Sequence, residues 1–111
     1  MIKKDADRCM ASLIGGAAGD ALGYTVEFMT YRDICRRYGD EGITEYSIYK
    51  DYAIFSDDTQ MTLFTAEGML LSREQSVMGY VNAIRRDYLW WFLTQTESYP
   101  VGQTITEASF L

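Results

Sequence analysis

Two adjacent carboxylates stand between two hydroxyl side chains in Ser56-Asp57-Asp58-Thr59, and a long apolar-patterned segment follows at once. These residue types admit two readings. A hydroxyl followed by acids before an apolar run is the ordinary start of a helix. The hydroxyl accepts from free N–H groups, and the acids favour the positive end of the helix dipole. The same side chains also offer a set of oxygen ligands, which suits Mg²⁺, Mn²⁺ or Ca²⁺ and not Zn²⁺. Two more carboxylates lie upstream, Asp20 and Glu27, seven residues apart. Asp20 falls on the apolar stripe of a helical pattern, where a carboxylate is either paired internally or faces a polar pocket.

The rest of the composition narrows the chemistry. The 111 residues contain no histidine, which removes the commonest general base, the Ser-His and Cys-His dyads and most zinc sites. Any reaction must therefore run on carboxylates, hydroxyls, a thiol or a metal. Net charge is −6, and the basic pairs Arg36-Arg37 and Arg85-Arg86 are isolated within helical patterns, so direct nucleic-acid binding is not expected. Cys9 and Cys35 have no metal-ligand spacing and read as buried free thiols of a cytoplasmic protein. Lys3, Lys4 and Arg8 precede an apolar run, but Asp5 and Asp7 interrupt the basic region and Gly15, Gly16 and Gly19 thin the apolar one, unlike a secretory leader. No run approaches the ~20 apolar residues that span a bilayer.

The elements that must position these groups are helical, and the length suits one domain over residues 1–111. Apolar residues from Cys9 to Leu22 repeat at helical spacing, with Asp7 as the expected cap and Gly23 as the expected stop. Gly15, Gly16 and Gly19 cost ~1 kcal/mol each relative to Ala, which implies close approach by another helix or a ligand. Thr30 is placed to cap a short helix from Tyr31 to Tyr38, ended by Gly39. Residues 40–55 show no period and read as an extended, aromatic-rich loop. A third helix is expected from Asp57 to Leu71 with Leu63, Phe64, Ala66, Leu70 and Leu71 as its core. Ser76 then caps a fourth, with Val77, Tyr80, Val81, Ile84, Tyr88, Trp91 and Phe92 inward. Leu63, Phe64, Ile84 and Trp91 are expected to be buried together. Asp20, Glu27, Asp57 and Asp58 are expected to converge. Pro100 and Gly102 break the last stretch, with a further helix possible from Thr106.

In this order the pieces are familiar. Gly15-Gly16-Ala17-Ala18-Gly19-Asp20-Ala21-Leu22-Gly23, Val26-Glu27-Phe28, Tyr38-Gly39 with Gly42-Ile43-Thr44, and Ser56-Asp57-Asp58-Thr59-Gln60-Met61-Thr62 closely resemble the amino-terminal part of the ADP-ribosylglycohydrolases. This is the dinitrogenase reductase-activating glycohydrolase family. The resemblance implies an all-α fold around a two-metal Mg²⁺ or Mn²⁺ centre and a hydrolase that removes ADP-ribose from a modified acceptor, such as an ADP-ribosylated protein. It places the family's metal-binding triplet on Ser56, Asp57 and Asp58, its early acidic position on Glu27, and a supporting carboxylate on Asp20. With Asp57 and Asp58, Glu27 then belongs to the catalytic set.

One departure matters as much. The family's second metal-binding motif, Asp-x-Asp-Ser or Asp-x-Asp-Thr, does not occur in these 111 residues, about a third of the usual family length. A truncated or split copy is expected, or a partner chain that supplies the other half of the ligand set. An apolar surface on the first and fourth helices would then be open to self-association or to that partner. The alternative is a non-catalytic helical module that keeps the fold fragment for binding or assembly.

Overall fold

The computed structural model describes residues 5–96, which divide after Gln60 into two compact units. The possible helix from Thr106 lies outside the described residues. Four α-helices carry the fold: α1 (Ala6–Gly23), α2 (Tyr31–Tyr38), α3 (Asp57–Leu71) and α4 (Val77–Thr96). The all-α expectation therefore holds, with a two-strand hairpin as the one sheet among the described residues.

In the first unit, α1 begins two residues earlier than expected. Asp5, not Asp7, is the cap: its backbone is extended (φ −113°, ψ 101°) and its side chain accepts from the Arg8 N–H at 3.3 Å. Asp7 falls within the first turn, where its charge still favours the helix dipole. Gly23 does not stop the chain in a left-handed turn. It stays right-handed (φ −75°, ψ −26°), and a 3₁₀ turn over Tyr24–Val26 extends the helix toward Glu27. Thr30 caps α2 by accepting from the Asp33 N–H at 3.3 Å, and Gly39 ends it at φ +83°, a region that favours glycine. Gly15, Gly16 and Gly19 were expected at a close approach. An added Cβ at any of them meets nothing within 4 Å.

The segment 40–55 is more ordered than its lack of period suggests. Strands β1 (Ile48–Tyr49) and β2 (Tyr52–Ala53) pair antiparallel, Ile48 opposite Ala53 and Tyr49 opposite Tyr52. Lys50 and Asp51 form the two-residue turn with φ of +49° and +73°. Both values are left-handed, the arrangement that usually selects Asn-Gly. Lys-Asp lacks that signature, so the hairpin was invisible in the sequence.

In the second unit, Ser76 caps α4 by accepting from the Gly79 N–H at 3.0 Å. The hydroxyls of Thr65 and Tyr88 meet at 2.7 Å. Gly68 brings α3 against α4: an added Cβ would stand 2.8 Å from the Ile84 Cα and 2.9 Å from its N. This seam of small residues changes the expected core. Gly68 and Ala83 are buried there and Gly79 is buried against Glu74, while Phe64, Ala66, Tyr80, Ile84, Tyr88 and Trp91 are half-buried. Leu63 is 44% exposed, so it does not join Phe64, Ile84 and Trp91 in one buried cluster. Leu70, Leu71, Val77, Val81 and Phe92 are exposed as well. Backbones that touch at glycine leave no width between them for large side chains, which are displaced to the flanks of the seam.

Asp87 is buried at 3% exposure, held by Arg86 Nε at 2.7 Å from its Oδ1. That contact raises the Arg86 pKa above its ordinary value, since deprotonating the guanidinium would forfeit the hydrogen bond. Sequence reasoning did not single out this acid. Both thiols are free, but Cys9 is exposed and Cys35 half-buried, short of the burial expected of them. Met10 and Ile14 on α1 and Met78, Val81, Leu89 and Phe92 on α4 are exposed, in line with the open apolar faces anticipated above. No helix among the described residues is long and apolar enough to cross a membrane.

Two glycine substitutions are expected to act in opposite directions. Gly68→Ala forces the Ile84 backbone to move and should lower stability by about 1–3 kcal/mol. Gly16→Ala meets open space in a helix interior and should raise it by about 0.5–1 kcal/mol. Urea denaturation of the two variants beside the parent chain measures both.

Candidate functional site

The site is built on the start of α3. A helix leaves its first N–H groups without partners, and here two side chains answer them. Ser56 Oγ accepts from the Asp58 N–H at 3.1 Å, so the capping role read for this serine is correct. Asp20, far away in sequence on α1, accepts from the N–H of Ser56 at 2.9 Å and from the N–H of Thr59 at 3.3 Å. The Thr59 hydroxyl donates to the same oxygen, Oδ2, at 2.5 Å. In a local capping box, a side chain within the helix reaches back to the cap N–H. In this chain a carboxylate from a different helix takes that place.

This pairing decides what Asp20 is. The sequence left it either paired internally or facing a polar pocket, and it does both: Oδ2 takes three donors while the residue also lines a cavity. Partial burial by itself would raise its pKa. The hydrogen bonds from Thr59 and Ser56 stabilise the anion and together hold the carboxyl below its ordinary value. Ser56 and Thr59 are buried at 6% and 7% exposure. Thr59 was not among the expected site residues. Its signal was available, since a second hydroxyl three positions after a cap falls back over the same helix end.

A cavity of about 240 Å³ opens beside this junction, lined by Asp20, Gly23, Tyr24, Glu27, Ser56 and Asp58. The 3₁₀ turn after α1 delivers Glu27 to it, and the first turn of α3 delivers Asp58. The expected convergence of carboxylates therefore holds for Asp20, Glu27 and Asp58. Asp57 does not line the cavity. Adjacent helix positions diverge by about 100°, so one of the pair must turn aside. Asp57, Asp58 and Glu27 are all exposed. Tyr24 also lines the cavity, though no sequence signal distinguished it from the other tyrosines.

The chemistry of this set is that of oxygen donors and mobile protons. Ser56, Asp58 and Glu27 present hydroxyl and carboxylate oxygens to one space, the ligand type of a hard divalent cation. Among the described residues, no group of three or more carboxylates, thiols or imidazoles is close enough to enclose an ion alone. Any ion held here would keep part of its water shell.

Comparison with known proteins adds three findings. A family model described as ADP-ribosylglycohydrolase matches residues 1–111. The chain is similar to the ADP-ribosyl-[dinitrogen reductase] glycohydrolase of Rhodospirillum rubrum, 54% identical over 33 residues, which are 30% of this chain and 11% of that protein. No solved structure matches.

The junction carries a pH signature. Because the folded-state pKa of Asp20 is depressed, its contribution to stability is fully present above the unfolded value of about 3.9. It is lost as pH falls through the lower folded value. Asp20→Ala should cost about 1–3 kcal/mol near neutral pH. The difference from the parent chain should shrink as the pH is lowered below about 4. Chemical denaturation at a series of pH values tests this, and a gap that stays constant into acid would exclude the carboxylate as its source.

Proposed function

The chain belongs to the ADP-ribosylglycohydrolase family, and we propose that it forms the amino-terminal side of a hydrolase that releases ADP-ribose from a modified acceptor. ADP-ribosylated proteins are the acceptors favoured by the R. rubrum relative, whose name specifies dinitrogen reductase. The observation that carries this reading is the single cavity on which Asp20, Glu27, Ser56 and Asp58 meet. The bond to be broken is the one between the ribose anomeric carbon and the acceptor.

Each residue has a role suited to its place. Ser56 and Asp58 would hold Mg²⁺ or Mn²⁺ at the cavity, and their oxygen donors fit such ions; Asp57, which does not line it, would add a ligand from the neighbouring helix position. When bound, a metal pair supplies polarisation of the substrate and a lowered pKa for a coordinated water. Glu27, approaching from a different element, orients a ribose hydroxyl or takes a proton from the attacking water. Asp20 fixes the start of α3, and with it the direction of the Ser56 and Asp58 side chains. Electrostatic stabilisation depends on groups held in place before the reaction begins. The short bridge from α1 to α3 is what holds them.

The family's second acidic motif is absent from these 111 residues, so a complementing half would supply the ligands it carries. The exposed apolar side chains on α1 and α4 offer such a half, or a second copy, a surface to bury. The free thiols Cys9 and Cys35 favour a reducing, cytoplasmic setting.

Calorimetry is expected to detect weak Mn²⁺ or Mg²⁺ binding that disappears in the Asp57→Asn/Asp58→Asn double variant. Equal heats from the two proteins would remove the metal site. In a second assay, the 111-residue chain alone should release little or no ADP-ribose from a modified protein. Adding the complementing half of a full-length relative should restore turnover, and the rescue should require Asp57 and Asp58. Robust release by the chain alone would show that its site is already complete.

A further inference from the structure

Between the end of α3 and the start of α4, the second unit holds a cavity of about 260 Å³. One side of it is a face of α4, where Gly79, Asn82, Ala83 and Arg86 recur at helical spacing. The other side is the connecting turn, which contributes Arg73 and Glu74. The turn is internally bonded. Ser72 Oγ donates to the Glu74 carbonyl at 2.7 Å, and Ser76 Oγ donates to the Glu74 carboxylate at 2.6 Å. An added Cβ at Gly79 would run into the Glu74 carbonyl, so the turn lies directly on the first turn of α4. None of the residues that line the acidic cavity lines this one.

We propose that this cavity binds a phosphate group. Its unused hydrogen-bonding capacity is mostly that of donors. The side chains of Arg73 and Asn82 have no hydrogen bond or ion pair among the described residues. Arg86 gives only its Nε to Asp87, so the N–H donors of its Nη atoms have no hydrogen-bond partner among the described residues. That guanidinium is also held in place. Asp87 is buried and its Oδ2 has no partner among the described residues, so releasing Arg86 would strand a second oxygen of a buried anion. The donor is therefore oriented before a ligand arrives. Arg73 comes from the turn, and Asn82 and Arg86 from the helix. A tetrahedral phosphate presents oxygens to donors on several sides, whereas a planar carboxylate is matched by a single guanidinium fork. The volume lies below the range of about 300–1,000 Å³ usual for small-molecule sites. It suits one phosphate, either free or at the end of a carrier that extends into solvent. Glu74 is the one carboxylate in the lining, and the Ser76 hydroxyl already occupies its Oε1. Asp87 offsets part of the charge of Arg86, which leaves Arg73 as the main source of attraction.

Inorganic phosphate and glycerol 2-phosphate test the proposal, with acetate as the planar anion. Each is titrated into the 111-residue chain at constant ionic strength and without metal. The backbone amide shifts of residues 71–86 are followed by NMR. Phosphate in at least one form is expected to shift these amides and to bind about fivefold or more tightly than acetate. Tighter binding of glycerol 2-phosphate would support an ester as the natural ligand, and tighter binding of inorganic phosphate would support the free ion. Arg73 and Glu74 are both exposed, so changing them leaves the buried Asp87 and its partner in place. Arg73→Gln should weaken phosphate about tenfold. Glu74→Gln keeps an oxygen for the Ser76 hydroxyl but removes the repelling charge, and should strengthen phosphate about twofold or more. Absence of any shift, acetate binding as tightly as phosphate, indifference to Arg73→Gln, or weaker binding by Glu74→Gln would each overturn the proposal. None of those results would bear on whether Asp57 and Asp58 bind metal.

Discussion

One carboxylate oxygen, Asp20 Oδ2, accepts from two backbone N–H groups and one hydroxyl at the start of α3, and the functional site depends on that junction. A helix end needs partners for its first donors, and water or a local side chain usually provides them. Here α1 provides them, and a requirement of secondary structure becomes a tertiary constraint. The same contacts fix where Ser56 and Asp58 stand and keep Asp20 ionised to lower pH than an isolated carboxyl. Stability and site geometry are thereby linked through a single anion. Crowding several acids at one place is electrostatically costly, and satisfying one of them with three donors is how the fold offsets part of that cost.

The division of charge between neighbouring spaces follows from the same region. Where α1 ends, the chain continues through a right-handed 3₁₀ turn rather than breaking at Gly23, and this carries Tyr24 and Glu27 past the acidic cavity. Glu27 adds its carboxylate to one side. Tyr24 separates that side from a space bordered by the hairpin residues Ile48 and Tyr49. The hairpin turn accepts left-handed backbone at Lys50 and Asp51, a conformation unfavourable for residues other than glycine, asparagine and aspartate. In return it sets the Tyr49 ring and the Lys50 ammonium together at the edge of an uncharged pocket. The carboxylates that line one space therefore do not line the other.

Away from the site, small residues organise the second unit. Gly68 lets α3 touch the backbone of α4, and Ala83 packs in the same seam. Such packing draws on backbone proximity more than on large apolar side chains, and Leu63, Leu70 and Leu71 remain exposed. The buried Asp87, tied to Arg86, sits in the same unit as a charge taken out of water, and the ion pair is what makes that burial tolerable.

The sequence by itself determined what local rules can determine. Hydroxyls ahead of apolar periodicity located the starts of α2, α3 and α4 at Thr30, Ser56 and Ser76, because capping involves residues only two or three positions apart. The absence of histidine and the clustering of oxygen donors limit the chemistry on composition alone. Family motifs in their order then identified the fold class. Tertiary structure decided the rest. Helical periodicity marks which face of a helix is apolar but not what meets it. It therefore assigned bulky residues to a seam that Gly68 and Ala83 occupy, and it credited Gly15, Gly16 and Gly19 with a close approach that Gly68 and Gly79 make instead. Asp20 and Thr59 are 39 positions apart, and nothing local to either states that one carboxylate serves the other's helix end. That pairing arises only when α1 and the start of α3 are brought together, and only then does Asp58 face a cavity that Asp57, one residue away, does not.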